Sequence, residues 1–300
     1  MKSAVLLLIF NREDTTRQVF ECIRQAKPPR LYVAADGPRK DKEGEKEKCM
    51  RTRAVINVDW DCKVDYLYRD DNLGCGKGVS SALSWFFEHE DEGIIIEDDI
   101  IPDISFFDYC DEMLEKYRNN YEIAVICGHN ALEDYPHTDT YYKSRLFQMW
   151  GWATWKRFWE TYIYDTEKIN RKEYVSSLKA RKFTKRECVY WKLIFDSLKR
   201  HKKDTWDYQV FFDMTINRFY SIMLYNNITR NIGISHPDAT HTTNENRFEY
   251  QRKIHSAYPI TCTSLQEDLE ADREIARNWN LYNDIKIIRA LKRIFRLIYH

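Results

Sequence analysis

The run Gly93-Ile94-Ile95-Ile96-Glu97-Asp98-Asp99 decides the fold class. Consecutive isoleucines with no polar alternation describe a buried strand, of the kind found in parallel sheets covered by helices. Three acids then end the strand at once. In open α/β sheets ligands bind beyond the carboxyl ends of the strands, so Glu97, Asp98 and Asp99 are expected on the rim of a crevice. Carboxylates crowded there repel one another unless a cation offsets them. Hard oxygen donors suit Mn²⁺ or Mg²⁺, ions that also bridge a diphosphate. The plainer alternative is the acidic first turn of a helix.

Outward from this run, the first 130 residues alternate short apolar stretches with helical patterns, the signature of βαβ units. Ala4 to Phe10 reads as the first strand, Leu31 to Ala35 as the second, Val64 to Tyr68 as the third and Ile123 to Cys127 as a later one. Asp14-Thr15-Thr16 offers a cap for a helix carried by Val19, Phe20 and Ile23, which Pro28-Pro29 stops. A charged segment, Lys40 to Lys48, leads into a helix ending near Val58. Further helices are expected over Gly74 to Glu88 and Phe106 to Tyr117. The predicted architecture is α/β, a mainly parallel central sheet flanked by helices. Beyond residue 130 the alternation ends, and a helical C-terminal elaboration is expected. It holds a strand over Leu224 to Ile232, a polar loop from Gly233 to Glu249 and a basic amphipathic helix from Asn283 to His300.

Composition narrows the function. Among 300 residues, 47 Lys and Arg balance 47 Asp and Glu, which removes the basic footprint that nucleic-acid binding requires. Nine glycines and seven prolines are too few for a turn-rich all-β fold or for low-complexity disorder. Nine Trp, 20 Tyr and 15 Phe supply either core or flat ligand platforms. The eight cysteines form no CxxC pair and accompany no secretion signal, so reduced thiols and a cytoplasmic location are expected. No stretch approaches the ~20 apolar residues of a transmembrane helix.

Several shorter motifs invite chemistry. The Gly-rich segment Asn72 to Ser80 fails as a P-loop, because the required Gly is Asp71 and the residue after Lys77 is Gly78. Backbone amides opening a helix beside Lys77 can still hold an anion. Asp36, closing the second strand, is placed to accept from a nucleotide's base or ribose. Trp150 and Trp152 share one face of an extended segment, a surface suited to the apolar side of a sugar. His236 and His241 lack the further ligands a zinc site needs. In the tail, Ile287, Leu291, Ile294 and Ile298 recur at helical spacing among Lys and Arg. Such a helix either lies in an anionic membrane surface or docks its stripe on protein.

Taken in order, Ile9-Phe10-Asn11-Arg12, Ala35-Asp36, Ile94 to Asp99 with Pro102-Asp103 and Phe106-Phe107, Trp150-Gly151-Trp152, Trp206-Asp207 and Gly233-Ile234-Ser235-His236 form a set. The chain resembles the GT-A glycosyltransferases, and more narrowly the inverting N-acetylglucosaminyltransferase that begins complex N-glycan synthesis, with its bacterial relatives. The resemblance spans roughly residues 4 to 240. It implies that Arg12 and Asp36 contact the nucleotide, with Asp36 near the uracil of a UDP-sugar. Trp206 joins the donor site, to which the anion reading above adds Lys77; by the resemblance Asp98 faces ribose or sugar hydroxyls, and Ser235 approaches the diphosphate on a closing loop. Asp99 becomes the direct ligand of Mn²⁺ (or Mg²⁺), and Asp207 the catalytic base. Trp150 and Trp152 would bind the acceptor, a glycan or lipid-linked saccharide. Residues 1–240 then form the catalytic domain, with a nucleotide-binding half at about 1–130 and an acceptor half at 131–240. Residues 241–300 form a C-terminal loop and helix, the latter suited to peripheral contact with the inner face of a membrane.

Residues 70 to 90 and 128 to 149 depart from the family pattern, which leaves donor sugar and acceptor open. Two rivals stand beside this reading. A sugar nucleotidyltransferase would want a Gly- and Arg-rich loop after the first strand, where this chain has Asn11-Arg12-Glu13-Asp14. A non-catalytic sugar-binding protein would have no use for Asp99 or Asp207.

Overall fold

The computed structural model describes residues 1–300 apart from Glu133, Lys202, Lys203, Ser235 and residues 239–252 and 279–300. The chain opens with β1 (Ala4–Ile9), α1 (Glu13–Ala26), β2 (Arg30–Ala35), α2 (Glu45–Ala54), β3 (Lys63–Tyr68), α3 (Gly74–His89) and β4 (Glu92–Glu97). A short β5 (Ile100–Pro102), α4 (Ser105–Tyr117) and β6 (Ile123–Cys127) come next. The remainder comprises β7 (Tyr141–Ser144), β8 (Trp152–Trp155), α5 (Lys156–Trp159), α6 (Arg171–Ala180), α7 (Lys185–His201), α8 (Asp207–Ile216), β9 (Tyr220–Leu224), β10 (Thr229–Asn231) and α9 (Leu269–Asn278).

Eight strands form one sheet in the order β3-β2-β1-β4-β8-β6-β9-β7, and β10 pairs with β5 in a second, two-stranded sheet. The half β3-β2-β1-β4 is wholly parallel. β6 and β9 also run parallel, while β8 and β7 are antiparallel to their neighbours. This is the α/β class expected, a mainly parallel central sheet with helices on both faces. Side chains of β1 show why its sequence lacks alternation. Leu6 and Leu8 face a core shared with α3, α7 and α8, whereas Val5, Leu7 and Ile9 face one shared with α1 and α4. Each such residue contributes about 1.5–3 kcal/mol on burial, so a polar residue on either face would be costly.

Four local expectations are corrected. The first helix begins at Glu13, and the Arg12 carbonyl, not a Thr side chain, starts it by accepting from Thr16 N at 3.1 Å. The second helix ends at Ala54, short of Val58. The single strand expected over Leu224 to Ile232 is two. Asn227 turns the chain between β9 and β10, its side-chain amide donating to Thr229 O at 2.6 Å while its Oδ1 accepts from Asn130 N at 3.2 Å. Lastly, two strands lie beyond residue 130 where the alternation was expected to have ended, β7 over Tyr141–Ser144 and β8 over Trp152–Trp155. β8 inserts antiparallel between β4 and β6.

Residues 253–278 return to the sheet. Lys143 N donates to Gln266 O at 2.9 Å beside β7. The Arg145 guanidinium meets Asp272 of α9 at 2.9 Å, with both side chains buried, and Ser144 Oγ donates to the same carboxylate. α9 was not legible in the sequence. The expected basic helix over Asn283 to His300 and most of the Gly233 to Glu249 loop lie outside the described residues, as do Ser235 and His241. Among the described residues no helix is long and apolar enough to cross a membrane.

Candidate active site

Strand order builds the site. β2 and β3 extend the sheet to one side of β1, and β4 lies on the other. The crossover direction therefore reverses between β1 and β4, and a crevice opens at their carboxyl ends. Phe10-Asn11-Arg12 leave the end of β1, and Glu97-Asp98-Asp99 close β4. Phe10 N donates to Asp98 Oδ2 at 3.2 Å. The Arg12 guanidinium spans both aspartates, Nη1 reaching Asp99 Oδ2 at 2.8 Å and Nη2 bonding Asp98 Oδ1.

A cavity of about 870 Å³ occupies this end of the sheet. Arg12, Asp36, Asp98, Asp99, Trp150 and Asp207 all line it, together with Trp206. Lys77 and Trp152 do not. Lys77 points to solvent on α3, and Trp152 is wholly buried, its ring stacked on Trp206 at 5.7 Å and 21°. The strand β8 explains this correction: inside a sheet covered on both faces, Trp152 fills core and offers no surface to a sugar.

The pocket is acidic. Burial first, and then the neighbouring Asp99 and Asp98 charges, push Glu97 well above the ordinary carboxyl range. Burial also raises Asp98 to about 6, with Arg12 opposing and Asp99 reinforcing the rise. Arg12 stays charged against its own burial because both carboxylates face it. Six carboxylates line the cavity against the guanidiniums of Arg12, Arg39 and Arg69. Arg39 is paired with Glu45, and Arg69 donates to Ser81 Oγ at 2.8 Å.

No three His, Cys, Asp or Glu side chains converge as a cluster for a metal ion among the described residues. The donor set nevertheless fits a hard divalent ion bound with a diphosphate, since Mg²⁺-type sites use one or two carboxylates plus substrate phosphates instead of an all-protein cage. Asp99 is the carboxylate that the resemblance singles out for such an ion, and it lines the cavity. Its Oδ2 is engaged by Arg12.

The Gly-rich turn is organised by carboxylates. Asp36 accepts from Gly37 N, from Leu73 N and from Gly74 N at 3.0–3.1 Å. It lines the cavity, but its oxygens are largely spent on that turn. The next two amides of α3 go to a residue that sequence reasoning missed: Asp204 accepts from Cys75 N and Gly76 N at 2.7 Å each. The anion expected beside Lys77 is thus supplied by the protein itself. Glycine is required here, because a Cβ on Gly76 would stand 2.7 Å from Thr205 O, and Gly74 has φ +80°. No spacing rule could have found Asp204, which lies 129 residues beyond Cys75.

Asp207 is the first residue of α8, the cap position being Trp206, and its Oδ1 accepts from the Thr205 hydroxyl. Phe147, Trp150, Trp191, Trp206 and Tyr208 line the same cavity. Trp191 was hidden within α7, whose sequence is rich in Lys and Arg, and Tyr208 follows Asp207 in the first turn of α8.

No protein-family model matches the chain, and no curated protein matches it. Among solved structures, a mannosyltransferase from Pyrobaculum calidifontis in complex with GDP-Man and Mn²⁺ is 9% identical, over 71% of this chain and 69% of its own, with a TM-score of 0.40. A UDP-glucose pyrophosphorylase complexed with UDP-glucose is 9% identical over 78% and 94% of the two chains, with a TM-score of 0.42. HddC from Yersinia pseudotuberculosis is 12% identical over 53% and 80%, with a TM-score of 0.32. Likenesses this partial assign no activity to the chain.

Proposed function

We propose that the cleft binds a nucleoside diphosphate-sugar and transfers the sugar, with inversion, to a hydroxyl of a glycan or lipid-linked acceptor. The observation that carries this reading is one cavity lined by the β4 acids, Arg12, Asp207 and several aromatic side chains. Acids at the switch point with a basic fork beside them suit a diphosphate and its counter-cation. The flat rings of Trp150 and Tyr208 suit the apolar faces of sugars.

In this reading Asp207 takes the proton of the attacking acceptor hydroxyl, assistance typically worth 10²–10⁴-fold. Arg12 binds the leaving diphosphate. A divalent ion held by Asp99 would supply charge to that leaving group. Asp36 fixes the Gly-rich turn against which the nucleotide lies, so its contribution to the base is through the Leu73 and Gly74 backbone. Ser235 on a closing loop and the tail as a membrane contact belong to the same proposal and rest on sequence alone.

Thermal melting of the full chain with UDP-, GDP- and CDP-sugars, with and without Mn²⁺, tests the reading, because a bound donor raises the melting temperature. Stabilisation followed by slow release of free sugar supports transfer. Synthesis of a nucleotide sugar from a nucleoside triphosphate and a sugar phosphate would replace it with nucleotidyl transfer. Stabilisation by saccharides with none by nucleotides would leave a sugar-binding protein.

A further inference from the structure

We infer that Arg12 is a resident counter-cation which a divalent ion must displace from Asp99, so that metal and nucleoside diphosphate enter the cleft together. The proposal rests on the donor reading above for the identity of the anion, and on the geometry for the displacement.

Arg12 leaves the end of β1 and spans Asp98 and Asp99 at the end of β4, with only 15% of its side chain exposed and the two carboxylates at 4% and 11%. A guanidinium fork fixed on two carboxylates is the arrangement that charge-assisted bidentate pairing favours. The place a cation would take is therefore filled. It is also covered: a Cβ on Gly233 would lie 2.2 Å from Asp99 Oδ2 and 2.6 Å from Arg12 Nη1. Ile232 N holds that backbone in place by donating to Asp99 O at 2.8 Å.

Charge balance says what must happen on metal entry. Two carboxylates and one guanidinium carry a net −1, and a divalent ion added beside Arg12 would put two cations against each other in a half-enclosed space. Moving Arg12 away removes that repulsion but leaves a buried-side guanidinium in need of an anion. Not all of the other acids lining the cavity can serve. Asp36 is occupied by three amides and Asp204 by two. A diphosphate meets the need, presenting the acceptor geometry the fork prefers. Each ligand thus prepares the site for the other, and by linkage the effect is reciprocal.

Manganese alone is the probe, so no substrate need be known. Mn²⁺ binding is followed by electron paramagnetic resonance on the full chain as wild type, Arg12→Gln and Arg12→Lys, with and without UDP or GDP, with melting curves confirming the fold. Wild type is expected to bind Mn²⁺ weakly alone and roughly tenfold more tightly with the preferred nucleoside diphosphate, within the usual range of coupling. Arg12→Gln should bind Mn²⁺ alone roughly tenfold more tightly than wild type and lose most of the nucleotide effect. Arg12→Lys, charged but unable to span both carboxylates, should fall between, and it carries the test if the glutamine variant does not fold. Equal or weaker Mn²⁺ binding by the variants overturns the displacement. If UDP or GDP still raises the melting temperature in that case, the donor reading stands. If no nucleoside diphosphate affects the wild type, the donor reading falls and the displacement with it.

Discussion

Asp204 Oδ1 accepts the Gly76 amide at 2.7 Å, across a separation of 128 residues. The bond fastens the start of α3 to the segment that leads into Asp207. A carboxylate at a helix N-terminus satisfies orphan amides and faces the positive end of the dipole.

Gly76→Ala tests how tight that junction is. In an open helix the change would stabilise by about 0.5–1 kcal/mol. At this site the new methyl would meet Thr205 O at 2.7 Å and Thr205 N at 2.8 Å, backbone atoms with nowhere to retreat. Overpacking should win, with a net loss of about 1–3 kcal/mol measured by urea unfolding. A gain in stability would show that the junction is loose.

Asp207→Asn should leave nucleotide-induced thermal stabilisation intact and reduce kcat by at least ~10²-fold. Because the helix cap position is Trp206, the variant is expected to melt close to wild type. A large fall in melting temperature with turnover preserved would make Asp207 a structural residue.

Asp213, buried within α8, gives a pH signature. Burial raises its carboxyl from 3.8 to about 7, with hydrogen bonds from Thr161 and Asn217 partly opposing. The folded state therefore keeps a proton that the unfolded chain has lost, and stability declines as pH rises through that window. Asp213→Asn is neutral throughout. Its urea midpoint relative to wild type should rise between about pH 4 and pH 8, the interval set by the two proton affinities.

Asp272→Ala would strand the Arg145 guanidinium, which has no exposure of its own. Removing one partner of a buried pair typically costs about 3–5 kcal/mol. Chemical denaturation should register that loss, and α9 should become the first segment cut in limited proteolysis. An unchanged midpoint would mean that α9 docks through Ile275 and its apolar neighbours alone.

The parallel half was legible because its strands are buried on both faces and its helices keep a clear period, as Ile94 to Ile96 and Val19 to Ile23 show. The carboxylates at the β4 end could be picked out for the same reason, since they sit where the chain stops being apolar, whereas Arg12 and Asp207 were named only through the resemblance. Trp152 misled because two-residue spacing gives a face but not which side of the sheet that face lies on. Lys77 misled because the amides beside it are claimed by Asp204, a long-range contact that leaves no local mark. β5 and β10 are three residues each, too short to carry a period, and their pairing is made only after the chain has folded back from β9.

Trp152 and Trp206 stack within one hydrophobic cluster that also holds Leu6 and Ile95 from the parallel half and Trp191 and Phe211 from the helices. The walls of the cleft are two exposed sides of the same packed interior. A chain built this way changes its partner by exchanging side chains on a fixed wall, at positions such as Trp191 and Tyr208, while a swinging motion of one half against the other would first have to pull indole from indole.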